Sequence, residues 1–410
     1  MPLLLTGSLV LSLGALLANI GNYLFTLIMA RLLTPAMYGD MVAIFAVGTI
    51  LAVPTVGVVN IVSRDVSRLK AQGKLPAIRR YVAGARKQLA LTGLALIVVF
   101  AICAPVVAGF LHVNALALIV YSLVVACMFL SALNQGTTQG LQRFGLMAAF
   151  LTGQVVFKVA LGAGLVLAGF QLFGAVWSVV IAQVALYLSL TAYLHRKIGR
   201  SRTGTPWKLL TKDTQLVIGG MLLMFLLINL DLFFAKHFFA ADLAGAYAVL
   251  VVLGSIIIFS TASVAAVLLP MVSERQAQRK PYGHLALYGL ALVYLPAFAI
   301  AAAYVLAPST IVGVLFPAYP QVVPYLGLYG GLSVVLAVLN MLVHYCIAIR
   351  DYRFIGVLLA GNGLAVGLML TYHQSFFRLI AAATAAALVA VGGVLVLVIT
   401  RGRGWRLRAA

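Results

Sequence analysis

Apolar runs, most of them near the ~20 residues that carry a helix across a hydrocarbon core, follow one another along the chain with only short polar gaps between them. They predict an all-α polytopic membrane protein of about twelve spans. These fall near residues 5–33, 37–63, 88–111, 115–137, 147–170, 173–195, 214–239, 243–272, 284–307, 322–349, 354–372 and 376–400. The connection at 196–213, rich in Gly, Thr and Arg around Gly204, Thr205 and Pro206, divides them into six and six. The expected organisation is an N-terminal lobe over 1–195, a basic cytoplasmic linker over 196–213, a C-terminal lobe over 214–400 and a basic cytoplasmic tail over 401–410.

The two halves carry a faint internal repeat. Phe25–Pro35 laid on Leu230–Ala240 pairs Thr26 with Asp231, Ala30 with Ala235 and Arg31 with Lys236. One inserted residue then brings Gly39 onto Gly245 and Val42 onto Ala248, and the match continues to Ser67 and Ser273. Similarity at the start of each half, in the same order and orientation, predicts two six-helix lobes related by a parallel repeat.

Charge fixes the orientation. With 64% of residues hydrophobic and 9% charged, water is not the main solvent. Of the 28 Lys and Arg, 24 fall in alternate gaps: eight in 64–87, one in 138–146, six in 196–213, three in 273–284, two in 350–353 and four from Arg401 onward. The intervening gaps, near 34–40, 111–114, 170–172, 240–243, 308–321 and 372–375, contain Asp40, His112, Asp242 and His373 but neither Lys nor Arg. By the positive-inside bias the basic side is cytoplasmic, and an even number of spans puts both termini there. The net charge of +21 is accounted for by this topology. Nucleic acid is not an expected partner, because the cations are divided among loops too short to assemble one basic face. Cys103, Cys127 and Cys346 lie inside apolar runs without metal-motif spacing and read as small buried side chains, so no metal or disulfide is expected. The first run lacks a basic leader and continues to Arg31, which predicts a retained span.

Asn22-Tyr23-Leu24-Phe25, followed by Ala30-Arg31-Leu32-Leu33-Thr34-Pro35 and Tyr38-Gly39, resembles the first helix and outer turn of polysaccharide transport proteins in the multidrug, oligosaccharidyl-lipid and polysaccharide exporter superfamily. Gln139-Gly140-Leu141-Gln142-Arg143-Phe144 is similar to a cytoplasmic turn of the same family. The resemblance implies a MATE-like fold of two six-helix lobes arranged as a V and working by alternating access. It implies a Wzx-type flippase that carries an undecaprenyl-diphosphate-linked oligosaccharide from the cytoplasmic to the periplasmic leaflet of a bacterial inner membrane. The product would be O-antigen of lipopolysaccharide, capsule or exopolysaccharide, with membrane lipids and polysaccharide polymerase machinery as partners. Two C-terminal helices of the lipid II flippase branch have no counterpart here, so the peptidoglycan precursor is the less expected cargo.

Charged residues within spans mark candidate sites, since each costs roughly 2.5 to 3.5 kcal/mol to insert and so faces a cavity or a partner. Lys158 falls about 16 Å into the fifth span, near mid-depth, with Gln154 one turn away on the same face. Arg31 and Lys236 occupy equivalent places near the outer ends of the first and seventh spans, where they either snorkel or line a cavity. Asp231 is the acid well inside a span, and is either a structural partner for a lysine or a protonatable group coupling transport to H+ or Na+. On the first helix, Ser8, Ser12, Asn19, Asn22 and Thr26 fall within an arc of about 80°, a polar stripe suited to a cavity wall or to helix packing. Ser333, Asn340 and His344 form a shorter stripe on the tenth span. Lys158, Arg31 and Lys236 are the expected substrate-binding cations, with Gln154, Asn19, Asn22 and Thr26 as polar lining.

An enzyme of the same pathway is the competing class. No His-Glu-x-x-His, Gly-rich phosphate loop or Ser/His/Asp arrangement stands out, and the longest outer connection, 308–321, carries no charge, so neither catalysis nor a cofactor is expected. A multidrug exporter should favour acids for cationic drugs, whereas one intramembrane acid against several cations suits an anionic cargo.

Overall fold

In a computed structural model, the backbone is described for residues 2–201, 203–204, 212–277 and 283–406, and side chains for 10, 13–201, 203–204, 213–260 and 295–400. Among these residues all regular structure is helical. The chain forms two compact units, Met1–Thr214 and Gln215–Ala410. The first contains α1 (Pro2–Leu32), α2 (Pro35–Ala71), α3 (Leu75–Leu111), α4 (Ala115–Gly140), α5 (Phe144–Leu165) and α6 (Gln171–Ile198). The second contains α7 (Lys212–Phe238), α8 (Ala241–Ala277), α9 (Gly283–Leu306), α10 (Pro308–Leu315), α11 (Leu326–Ala348), α12 (Phe354–Thr371) and α13 (Phe376–Arg406).

Among the described residues ten helical stretches are long and apolar enough to cross a membrane, or eleven when the pair Leu295–Leu306 and Pro308–Leu315, bent by 94°, is counted as one. One stretch, Phe144–Ile198, is 55 residues long. At 1.5 Å per residue that is about 80 Å, far beyond a core ~30 Å thick, so it crosses twice. The reversal is the π-helical turn Val166–Phe170, where Gly169 takes φ 94°, and beyond it α6 packs back along α5. Twelve crossings result, as the hydropathy pattern predicts.

Local chemistry sets the ends. Thr34 caps α2 by accepting from the Met37 amide at 3.3 Å, with Pro35 at the first helical position where its missing N–H costs nothing. Asn114 caps α4 through the amides of Leu116 and Ala117 at 2.9 and 3.2 Å. Part of the family-like segment at 30–39 is therefore a helix-start signal. Two gaps differ from expectation. The basic stretch 64–87 is not a loop: α2 and α3 extend through it and leave only a turn at Gln72–Lys74, because Lys, Arg and Ala favour helix and Gly73, at φ 69°, is the first residue to break it. The uncharged connection at 308–321 holds the short helix α10, which buries Val312, and the turn after it buries Phe316 and Tyr319.

The repeat appears in the packing. α4 lies against α2, α3 and α6, and α11 lies in the same way against α8, α9 and α13; α5 packs on α6 as α12 packs on α13. Gly48 of α2 sits under the ring of Tyr121 of α4, where an added Cβ would come within 2.0 Å of Cε1. Gly254 of α8 sits under Tyr329 of α11, where the same atom would come within 2.4 Å. The turns after α4 and α11 each place a non-glycine residue at positive φ, Gln142 at 61° and Arg350 at 51°.

Candidate functional site

The N-terminal unit builds a cationic site where α1 meets α5. The two helices approach closely: a Cβ on Gly21 would meet Val155 Cγ1 at 2.4 Å. This contact puts Asn22 and Phe25 of α1 beside Lys158, which is about 21 Å along α5 from Phe144 and near the middle of the 144–170 segment. The ammonium donates to Asn22 Oδ1 and lies over the Phe25 ring, 4.6 Å from its centroid. Phe25 is 1% exposed and is held from behind by Gly162, where a Cβ would come within 2.6 Å of the ring. It stacks on Phe45, which stacks on Tyr121, at centroid distances of 6.2 and 5.1 Å. Among the described residues of this unit no carboxylate forms an ion pair with Lys158. Its partners are a neutral oxygen and a π-face, which stabilise the cation without cancelling it.

Gln154 takes a different direction from Lys158. Its amide donates to Gln183 Oε1 of α6 at 2.7 Å, and Gln183 donates to Ser131 Oγ of α4 at 3.0 Å. Two side chains one turn apart on α5 are thus drawn to opposite neighbours. Asn134 of α4 adds a second tie, donating to Thr191 Oγ1 at 2.7 Å. Asn19 and Asn22 are exposed, and Thr26 donates back to the Asn22 carbonyl at 3.1 Å; Ser8 and Ser12 lie outside the residues whose side chains are described. Arg31, at the end of α1, is exposed and engaged by neighbours.

The C-terminal unit builds an acidic site at the level that the repeat assigns to Thr26. Asp231 of α7 is 2% exposed. Its Oδ2 accepts from Tyr247 of α8 at 2.9 Å and from Tyr329 of α11 at 2.8 Å, while Oδ1 is buried with no hydrogen-bond partner among the described residues. The tyrosine rings meet edge to face at 5.9 Å, and Phe376 closes on Tyr247 at 5.3 Å. Among the described residues of this unit no cation pairs with Asp231. Lys236, little more than a turn further along, is also 2% exposed, so its head does not snorkel, and it is engaged by neighbours. Ser333 donates to the Tyr329 carbonyl and packs against Gly254 of α8, and His344 Nδ1 lies 2.8 Å from the Asn340 carbonyl within α11.

The sequence expectations name Lys158, Asn22 and Asp231; the structure sets Phe25 beside the first, and Tyr247 and Tyr329 beside the last. The tyrosines did leave a signal, since a phenol inside an apolar span needs a hydrogen-bond partner. Phe25 is visible in the sequence only as part of the family-like segment Asn22-Tyr23-Leu24-Phe25, with nothing in its own character to mark it as a partner for a cation.

These features define a multi-pass membrane protein with a cation held in one helical unit and a carboxylate in the other. The fold is that of the MATE/MOP transporters. An inward-facing multidrug resistance MATE family transporter of the MOP superfamily is 15% identical, with a TM-score of 0.75 and 96% of each chain covered. The lipid II flippase MurJ in an inward closed conformation is 10% identical, with a TM-score of 0.70 over 95% of this chain and 87% of MurJ. A MOP superfamily transporter from Pyrococcus furiosus, described as having a binding pocket of reversed polarity, is 14% identical with a TM-score of 0.64 over 97% and 95% of the two chains. No curated protein matches in sequence. Residues 4–276 match the family model described as polysaccharide biosynthesis protein, and the chain belongs to that family.

Proposed function

We propose that the protein is a flippase for an undecaprenyl-diphosphate-linked oligosaccharide, working in a bacterial inner membrane with both termini cytoplasmic and supplying surface polysaccharide synthesis. The observation that carries this reading is Lys158: an intramembrane ammonium held by Asn22 and Phe25, with no acid pairing with it among the described residues of its unit. A cation positioned by neutral groups keeps its charge for a ligand, and a compact ammonium suits a diphosphate met in several orientations. Family membership supports a saccharide pathway, and the alternating basic gaps support the orientation.

Asp231 is the proposed coupling group. Its Oδ1, which has no partner among the described residues, offers one acceptor for a proton, while the two phenols on Oδ2 hold the carboxylate in place. A single carboxylate suits a proton better than Na+, which needs several oxygen ligands.

Complementation of a flippase-null strain, with membrane abundance measured alongside, tests this function. Lys158→Gln should abolish surface polysaccharide at normal protein level, and Lys158→Arg should retain part of it. Full output from Lys158→Gln would remove the residue from the site. Export of a cationic dye that survives Lys158→Gln and is lost in Asp231→Asn would instead make the protein a multidrug exporter.

A further inference from the structure

A second cationic cluster lies in the N-terminal unit at the basic end of α3 and α6, away from Lys158. Both helices pack on α4 and have few contacts with each other. At the basic end of α6, His195 stands between two guanidinium groups. Arg86 Nη1 is 2.7 Å from His195 Nε2, and Arg200 Nε is 3.2 Å from His195 Nδ1. A neutral imidazole has one acceptor nitrogen and an imidazolium has none, so no protonation state satisfies both contacts. Arg86 Nε and Nη2 are buried and have no partner among the described residues. Arg79 adds a third guanidinium, lying against the Gly199 turn, where a Cβ would be 3.2 Å from Arg79 Nε. Among the described residues no carboxylate forms an ion pair with Arg86.

We propose that this cluster binds the headgroup phosphate of an anionic glycerophospholipid whose acyl chains lie along the exposed apolar face of α6. Phosphate oxygens supply the acceptors that the buried face of Arg86 lacks, in the bidentate geometry a guanidinium favours. The depth fits: Arg86 and His195 stand where the apolar runs of their helices begin and end, at the headgroup boundary. The surface beyond is apolar in the same line. Residues seven apart share a helix face, and Ile181 and Leu188 on the line of His195 are 40% and 57% exposed. A free anion would have no use for that apolar strip, whereas an acyl chain covers it.

Native mass spectrometry of the full-length protein released from detergent, with added phosphatidylglycerol or diacylglycerol of the same chains, tests the site. Phosphatidylglycerol should be retained and diacylglycerol should not. Arg86→Gln and Arg200→Gln should each weaken retention by about tenfold. Arg80→Gln, which removes the same charge from an exposed position on α3, should leave it unchanged. Equal weakening by Arg80→Gln would overturn the site in favour of general charge attraction. Displacement of the lipid by millimolar inorganic phosphate would overturn the lipid assignment in favour of a free anion. Should Arg86→Gln fail to fold, Arg200→Gln decides alone, because Arg200 is exposed, and unchanged retention in that variant would refute the proposal.

Discussion

The two units share a packing scheme and differ in what each places inside it. In both, a glycine on the second helix receives a tyrosine ring from the fourth crossing, Gly48 under Tyr121 and Gly254 under Tyr329. In the N-terminal unit that tyrosine ends an aromatic stack running through Phe45 to Phe25 and so to Lys158. In the C-terminal unit its hydroxyl reaches Asp231, the residue aligned with Thr26. One scaffold therefore supports a cation backed by an aromatic face and a carboxylate backed by phenols. The duplicated frame fixes the helices, and the individual side chains placed within it set the polarity of each half.

The largest expected effect separates the two sites by function. Lys158→Gln should weaken binding of a short-chain polyprenyl diphosphate by the purified protein about tenfold or more, whereas Asp231→Asn should bind it normally and lose only ion-dependent transport. Normal binding by Lys158→Gln together with lost binding by Asp231→Asn would exchange the roles of the units.

Next comes the shared frame. Gly48→Val and Gly254→Val should each destabilise by about 1 to 3 kcal/mol through overpacking, read as thermal unfolding in detergent. Gly254→Val should also lose ion dependence, because it displaces Tyr329 from Asp231; equal transport by both variants would show that the acid does not need its phenol.

A smaller contrast tests the hydroxyl groups. Tyr329→Phe should cost about 1 to 3 kcal/mol, since it removes a hydrogen bond to a buried carboxylate, while Tyr121→Phe should stay within about 0.5 kcal/mol. Equal costs would mean that the carboxylate contributes nothing beyond ring packing. Smallest of all, Arg31→Gln should leave unfolding within about 0.5 kcal/mol and polysaccharide output near normal, because Arg31 is exposed at a helix end. A loss matching that of Lys158→Gln would extend the cationic site to the outer end of α1.

The sequence by itself determined the membrane class, the spans and their alternation, because hydrocarbon imposes one length and one composition on any helix that crosses it. It also exposed Lys158 and Asp231, since a charge in an apolar run is visible without a structure. It pointed to the repeat, whose Arg31 and Lys236 turn out unlike: one is exposed and the other buried. Only the tertiary structure decided what each charge faces. Spacing along α5 puts Gln154 and Lys158 on one face, yet α6 takes the first and α1 the second. Asp231 met two phenols from α8 and α11, 16 and 98 residues away in the chain. Such partners are chosen by which helices pack together, and helix packing depends on the shape of apolar surfaces whose residues are nearly interchangeable in a hydropathy pattern.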